Sequence, residues 1–197
     1  MIAVVDSGVA NLASVLAALS RLGQTARVTA DANVLRTTHH IILPGVGAAS
    51  AAMKQLRKKG LADALRAARQ PVLGICLGMQ LLFARSEEGE GTDCLGVIDG
   101  RIKPLKPEPG LSIPHMGWNQ IHMNKTGHPL LRNIADGSFM YFAHSFVAAE
   151  SGHAVATAEY GERFAAVIAH ENYYGCQFHP ERSGPAGLAL IANFLSL

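Results

Sequence analysis

The chain has 197 residues, of which 49% are hydrophobic and 16% are charged. That size and balance are typical of one compact domain with a sizeable core, so we expect a single domain over residues 1–197. The formal net charge is only +2. The densest basic cluster, residues 57–59, lies where a predicted helix ends and complements its dipole, which disfavours a nucleic-acid partner.

Cysteine usage and the opening residues indicate the compartment. Cys76, Cys94 and Cys176 cannot all pair, and none stands in a C-x-x-C spacing, which suits a reducing environment. The N-terminal residues lack a basic segment followed by a long apolar stretch, and no apolar run approaches the roughly 18 residues of a membrane span. We therefore expect a cytoplasmic protein without a membrane partner.

The first half of the chain alternates strand and helix patterns. Short apolar runs predict strands at residues 2–5, 25–29, 41–43 and 71–75. Apolar residues at helical spacing predict helices over residues 12–22, around 53–56, and over 61–68 and 77–83. Strands separated by helices favour parallel pairing with helices on both faces of the sheet.

The second half differs in composition. Residues 87–117 are rich in Gly, Pro and charge, which indicates loops and β-ribbon. Further strands are predicted at residues 139–142, 154–157, 165–168 and 173–178, and a last helix over 188–195. The sequence thus predicts an α/β fold with an open, mixed, mostly parallel sheet, helices on both faces and an antiparallel addition.

The most informative segment joins a predicted buried strand to an apolar helix through Gly74-Ile75-Cys76-Leu77-Gly78. The same pattern with serine is the nucleophile elbow of α/β hydrolases, in which the glycines allow close backbone approach. The helix N-terminus would favour the reactive thiolate of Cys76, and the Leu77 amide would face a developing oxyanion. The alternative is that Cys76 is a small buried core residue.

A second segment carries His179-Pro180-Glu181 at the end of a predicted strand. His179 could act as the base for Cys76, with the Glu181 carboxylate orienting its ring. An exposed turn would look the same in the sequence. Ligands of open α/β sheets bind beyond the carboxyl ends of the strands, however, and both segments lie at such ends.

Three softer candidates accompany these segments. The turn at Gly45-Val46-Gly47 follows a strand and could supply a second oxyanion donor, or be a plain turn. It fits a dinucleotide fingerprint poorly, because Ser50 occupies the third glycine position. His144-Ser145 could line the pocket or lie on the surface. The predicted loop at residues 114–119 contains the only Trp, which could anchor a partner or pack in the core.

Taken together, these motifs resemble the class I glutamine amidotransferases, and the resemblance covers the whole chain. The segments around Cys76 and His179 are similar to the class at large. The run Pro-His-Met-Gly-Trp-Asn at residues 114–119 is similar to the glutaminase subunits of imidazole glycerol phosphate synthase in particular. The resemblance implies a flavodoxin-like sheet and hydrolysis of L-glutamine to glutamate and ammonia.

The resemblance also implies roles for individual residues. The catalytic triad would be Cys76, which forms a glutamyl thioester, His179 and Glu181. The oxyanion donors would be Val46, Gly47 and Leu77, and the substrate would touch Gly45, Gln80, His144 and Ser145. The partner interface would include Asn11, Met116, Trp118 and Tyr141. Phe146 stands where many relatives have Tyr, so no hydroxyl contact is expected there.

The resemblance implies a heterodimer with the cyclase subunit, a (β/α)₈ barrel that uses the ammonia in histidine biosynthesis. The length of the chain agrees, since it leaves no room for a second synthetic site. No metal or organic cofactor is expected. Two alternatives stay open: a glutaminase of the folate, tryptophan or pyridoxal pathways, and a binding module that keeps the elbow without activity.

Overall fold

The computed structural model describes residues 1–8, 10–106, 108–124, 127–149 and 152–197. Its first half alternates strands and helices in the order β1 (Ile2–Val5), α1 (Leu12–Arg21), β2 (Ala26–Thr29), α2 (Ala32–Thr37), β3 (His40–Gly45), α3 (Ala49–Lys58), α4 (Leu61–Arg66), β4 (Val72–Cys76) and α5 (Leu77–Gln80). Most of the remainder is strand: β5 (Phe83–Ser86), β6 (Thr92–Asp93), β7 (Ile98–Pro104), β8 (His115–Gln120), β9 (His122–Met123), β10 (Phe139–His144), β11 (Phe146–Ala148), β12 (Ala154–Tyr160), β13 (Glu162–His170) and β14 (Tyr173–Cys176). The last helix is α6 (Gly184–Phe194), and short 3₁₀ turns lie at Pro129–Leu131 and Pro180–Arg182.

The main sheet has eight strands in the order β2-β1-β3-β4-β14-β13-β12-β9. The pairs from β2 to β14 are parallel, and the pairs from β14 to β9 are antiparallel. Two smaller sheets, β10-β8 and β11-β7-β5-β6, stand beside it. The predicted mixed, mostly parallel sheet with an antiparallel addition is confirmed.

Helices cover both faces of this sheet, and each face has its own hydrophobic cluster. Ile42 packs in the cluster that includes residues of α1 and α6, whereas its neighbours Ile41 and Leu43 pack in the cluster that includes α3 and α4. Every residue of β4 is buried. Burial on both faces explains why these strands read as continuous apolar runs. None of the helices in the described ranges is long and apolar enough to cross a membrane.

Several predicted elements were wrong. The helix predicted over residues 77–83 ends at Gln80, because Phe83 already begins β5 and pairs with Ile98 of β7. The loop predicted at residues 114–119 is largely strand β8, which pairs with β10. The strand predicted over residues 173–178 ends at Cys176. Helix α2, which begins with the Asp31 side chain accepting from the Asn33 amide, was not predicted.

Candidate active site

Cys76 occupies a sharp turn between β4 and α5, with φ 53° and ψ −112°. Positive φ is unusual for a residue with a side chain and costs on the order of 1–3 kcal/mol. The glycines on either side permit this turn. A Cβ at Gly78 would overlap the carbonyl oxygen of Leu43, and a Cβ at Gly74 would lie 2.6 Å from the Gly78 oxygen. The predicted elbow geometry is therefore confirmed.

His179 and Glu181 lie next to this elbow, a few residues beyond the carboxyl end of β14. Strand β14 stops at Cys176, and Glu181 lies in the 3₁₀ turn that follows His179. His179 Nδ1 is 2.9 Å from Glu181 Oε1, and both side chains are buried. Burial opposes protonation of His179, but its hydrogen bonds to Cys76 and Glu181 outweigh burial and raise its pKa to about 10.

Hydrogen bonds outside the triad hold the His179 segment in place. The His179 amide donates to the Tyr141 carbonyl at 2.9 Å. The Ser183 hydroxyl donates to the His179 carbonyl at 2.7 Å and accepts from the Tyr141 amide at 2.9 Å. Arg21 on α1 donates to the Glu181 carbonyl at 3.2 Å. These bonds tie the segment to β10 and α1, so its backbone is fixed from several directions.

A cleft opens above Cys76, and most of the predicted site residues line it. They are Val46, Gly47, Cys76, Leu77, Gln80, His144 and Ser145. Gly45 does not line this cleft: it is the last residue of β3, it pairs with Cys76 in the sheet, and a Cβ there would lie 3.0 Å from the Gly78 nitrogen. Gly45 thus packs closely against the elbow, and its contact with a substrate stays a prediction.

Two buried amides connect the cleft to the sulfur. Gln177, which sequence reasoning missed, is completely buried, and its Nε2 approaches Cys76 Sγ at 3.8 Å. Its Oε1 accepts from Gln80 Nε2 at 3.0 Å, and Gln80 also donates to the Phe146 carbonyl at 2.9 Å. A glutamine inside an apolar strand pattern was the available signal, since a buried amide requires partners.

Glu88 was also missed. It lines the cleft, and its Oε2 accepts from the Ala49 amide at 2.7 Å, at the first turn of α3. Ala48, the residue that precedes this helix, has no side chain that could cap it, so a carboxylate from a distant loop takes that part. A Glu in a charged loop gave no signal in the sequence. The Glu88 carboxylate places a negative charge at one wall of the cleft.

The residues predicted to face a partner lie mainly on β8 and β10. Met116 and Trp118 are 64% and 55% exposed, although both are large and apolar. Tyr141 pairs with Trp118 across the two strands, and the guanidinium of Arg182 lies 4.4 Å from the centroid of the Tyr141 ring. Asn11 is exposed and caps α1 by accepting from the Ser14 amide at 3.4 Å. The β8–β10 ribbon therefore presents an apolar face beside the cleft.

The other cysteines differ from Cys76. Burial raises the pKa of the Cys94 thiol to about 11 and that of Cys176 well above its ordinary value. Both are therefore protonated and unreactive at neutral pH.

Within the described ranges, no group of three or more His, Cys, Asp or Glu side chains could hold a metal ion. The chemistry available is that of a nucleophilic thiol, a paired imidazole and backbone amides, which suits acyl transfer.

Comparison with known proteins gives consistent results. The family model "Glutamine amidotransferase class-I" matches residues 3–197. The chain is 50% identical to imidazole glycerol phosphate synthase subunit HisH of Idiomarina loihiensis, covering 100% of this chain and 97% of that relative. Identity to the HisH subunit of Escherichia coli K12 is 46%, covering 100% and 99%.

Solved structures share the fold at lower identity. A crystal structure of a glutamine amidotransferase superposes with a TM-score of 0.76 at 18% identity, covering 99% of this chain and 97% of the other. The structure of PurLQS from Thermotoga maritima gives a TM-score of 0.72 at 22% identity, again covering 99% and 97%. These structures share the overall fold of the chain.

Proposed function

The chain belongs to the class I glutamine amidotransferase family, and from that premise we propose that it is the glutaminase subunit of an imidazole glycerol phosphate synthase. It would hydrolyse L-glutamine and pass the ammonia to a cyclase subunit in L-histidine biosynthesis. The observation that carries the chemistry is the strained elbow at Cys76 beside a buried His179 whose Nδ1 lies 2.9 Å from Glu181.

The proposed reaction has two steps. The sulfur of Cys76 attacks the side-chain carboxamide carbon of glutamine, and the oxyanion of the tetrahedral intermediate faces the amides of Val46, Gly47 and Leu77. His179, as the imidazolium, gives its proton to the leaving nitrogen, so ammonia departs and a glutamyl thioester remains. Water then attacks the thioester as His179 takes its proton, and glutamate and the thiolate are released.

The walls of the cleft suit the rest of the substrate. Gln80, His144 and Ser145 offer hydrogen-bonding groups to the amino-acid end of glutamine. The Glu88 carboxylate lines the same cleft, where it can attract the substrate's α-ammonium by opposite charge. A neutral amide without that ammonium is therefore expected to bind less tightly.

The partner proposal rests on the relatives and on the β8–β10 ribbon. The similar proteins named above are subunits of imidazole glycerol phosphate synthase. The exposed Met116 and Trp118, with Tyr141 and Asn11, are the proposed contacts with the cyclase in a heterodimer, since exposed aromatic and Met side chains are typical of interface anchors. Because these relatives are subunits of a metabolic synthase, we also propose a cytoplasmic location.

The test is glutamate release from L-glutamine by the chain alone and with a histidine-pathway cyclase and its nucleotide substrate. We expect low turnover alone and a many-fold increase in the complete mixture. Cys76→Ser should abolish turnover under both conditions, whereas Cys94→Ser, at one of the two other buried thiols, should retain it. Normal turnover by Cys76→Ser would refute the role of Cys76 as the nucleophile. If the unaltered chain releases no glutamate in either condition, the proposed glutaminase activity is refuted.

A further inference from the structure

Strand β8 has two different faces. Met116 and Trp118 point outward on the exposed ribbon, whereas His115 points inward and is only 3% exposed. His115 pairs in the sheet with His144, which lines the cleft. One strand therefore carries an apolar face, whose Met116 itself borders the cleft, and on its other side a buried imidazole in contact with the cleft residue His144.

Three hydrogen bonds run from this strand into the cleft. Asn119 Nδ2 lies 3.4 Å from His115 Nε2, His115 Nδ1 lies 3.0 Å from His144 Nε2, and His144 Nδ1 lies 3.0 Å from the Phe146 carbonyl oxygen. The same carbonyl accepts from Gln80, which also lines the cleft. The chain of bonds thus ends on two residues of the proposed glutamine site.

The groups at the two ends of this series of hydrogen bonds fix the same proton positions. The Phe146 carbonyl can only accept, so His144 carries its proton on Nδ1 and its Nε2 must accept from His115 Nδ1. From the other end, Asn119 Oδ1 accepts from the Gln120 amide, so its Nδ2 is the donor. One N–H of Nδ2 goes to the Glu159 carbonyl at 2.8 Å and the other to His115 Nε2. Each ring is therefore a donor through Nδ1 and an acceptor through Nε2.

The surroundings favour the uncharged form of both rings. Burial lowers the pKa of His115 to about 4, and burial together with His115 lowers that of His144 to about 3. The His115 ring is stacked between Tyr160, at 4.0 Å between centroids, and Phe142, at 4.9 Å. It can neither rotate freely nor gain a proton at neutral pH, so the directions of the bonds are preserved.

We propose that His115 is a positioning residue that holds His144 in the glutamine site and couples that site to a protein bound on the exposed face of β8. Because β8 carries Met116, Trp118 and His115, a movement of β8 on partner binding changes the length or angle of the His115–His144 hydrogen bond directly. This inference rests on the proposed function and adds to it a path by which the partner alters glutamine binding.

The first test measures the protons themselves. Heteronuclear NMR of the labelled histidine side chains in the full chain at neutral pH distinguishes protonation on Nδ1 from protonation on Nε2, and His115→Asn assigns the His115 signals. We expect both His115 and His144 to be neutral with the proton on Nδ1. A proton on Nε2 of either ring, or an imidazolium, would overturn the inference without reference to any activity.

The second test uses two substitutions of different chemistry. His115→Phe keeps a ring between Tyr160 and Phe142 and removes the donor, whereas His115→Asn keeps an N–H near the position of Nδ1. Loss of one hydrogen bond predicts that His115→Phe raises KM for glutamine and lowers the partner's stimulation by about three- to tenfold, and that His115→Asn recovers most of both. Equal losses in the two variants would show a merely structural role and refute the coupling.

Two controls separate the possible failures. Thermal unfolding shows whether each variant is folded. Asn119→Ala removes the outer bond to His115 together with the bonds of Asn119 to the Glu159 carbonyl and the Gln120 amide. It leaves the stacked ring and the His115–His144 bond intact, so its effect on KM should be smaller than that of His115→Phe. The unaltered chain is assayed first with the cyclase and nucleotide. If it releases no glutamate, the proposed function fails and this inference with it. If it is stimulated and His115→Phe is stimulated equally, only this inference fails.

Discussion

The carboxyl edge of the parallel strands and the β8–β10 ribbon lie side by side and are built in opposite ways. At the sheet edge, Cys76, His179 and Glu181 are buried, and glycines hold the backbone at distances that no side chain would allow. On the ribbon, Met116 and Trp118 are more than half exposed. A rigid frame suits groups that must meet a reacting atom, whereas an exposed apolar face suits contact with another protein.

The largest expected effect tests the rigid side of this comparison. Gly78→Ala would drive a methyl group into the Leu43 carbonyl oxygen, which is backbone and cannot move aside. We expect a loss of at least about 3 kcal/mol in the free energy of unfolding, or no folded protein. Gly152→Ala, where an added Cβ meets nothing within 4 Å, is the matched control. Normal denaturant midpoints for both variants would contradict the close approach at the elbow.

His179→Ala tests the chemistry while leaving that frame in place. Loss of the general base should lower kcat for glutamine by at least ~10²-fold. His179→Asn serves as the control for packing, because it keeps a polar group of smaller size beside Glu181. If either variant turned over glutamine at a near-normal rate in the presence of the cyclase, His179 would not be the base.

The sequence predicted these two regions unequally. The glycines and apolar runs around Cys76 have one structural solution, a strand and helix meeting at a tight turn, so both the fold and the elbow could be predicted from spacing alone. Residues 114–119 alternate inward and outward as a strand does. The Pro and two polar residues there were interpreted as a loop, because the inward positions hold His115 and Asn119 rather than apolar groups.

Glu88 and Gln177 show a different limit. Each acts through a partner more than thirty residues away in the sequence, Ala49 in one case and Cys76 in the other. Nothing local marks Glu88, and the polar residue in an apolar pattern at Gln177 signals only that a partner exists, not which one. Gly45 shows the converse, since its glycine is required locally by the close approach of the Gly78 nitrogen, whereas its predicted contact with the substrate stays untested.

The pH dependence of the free energy of unfolding tests whether the buried triad holds His179 protonated. The pKa of His179 is raised in the folded state to about 10, so its contribution to stability is fully present below its unfolded pKa of about 6.5 and is lost as the pH rises through about 10. Between those limits the unaltered chain should lose a few kcal/mol more unfolding free energy than His179→Asn. Parallel pH profiles of the two proteins would show that His179 is not held protonated.

The smallest expected effect belongs to the exposed ribbon. Trp118→Ala removes a side chain that is 55% exposed and in contact with Tyr141, so the melting temperature should change little. If Trp118 is an anchor, the Kd for the cyclase should rise at least tenfold, which weakens the binding free energy by about 1.4 kcal/mol or more. Val28→Ala, at an exposed apolar residue of the edge strand β2, is the matched control and should leave the Kd unchanged. Equal affinities for all three proteins would move the cyclase interface away from the ribbon. An effect confined to Trp118→Ala would show that the apolar face, rather than exposed apolar area in general, binds the partner.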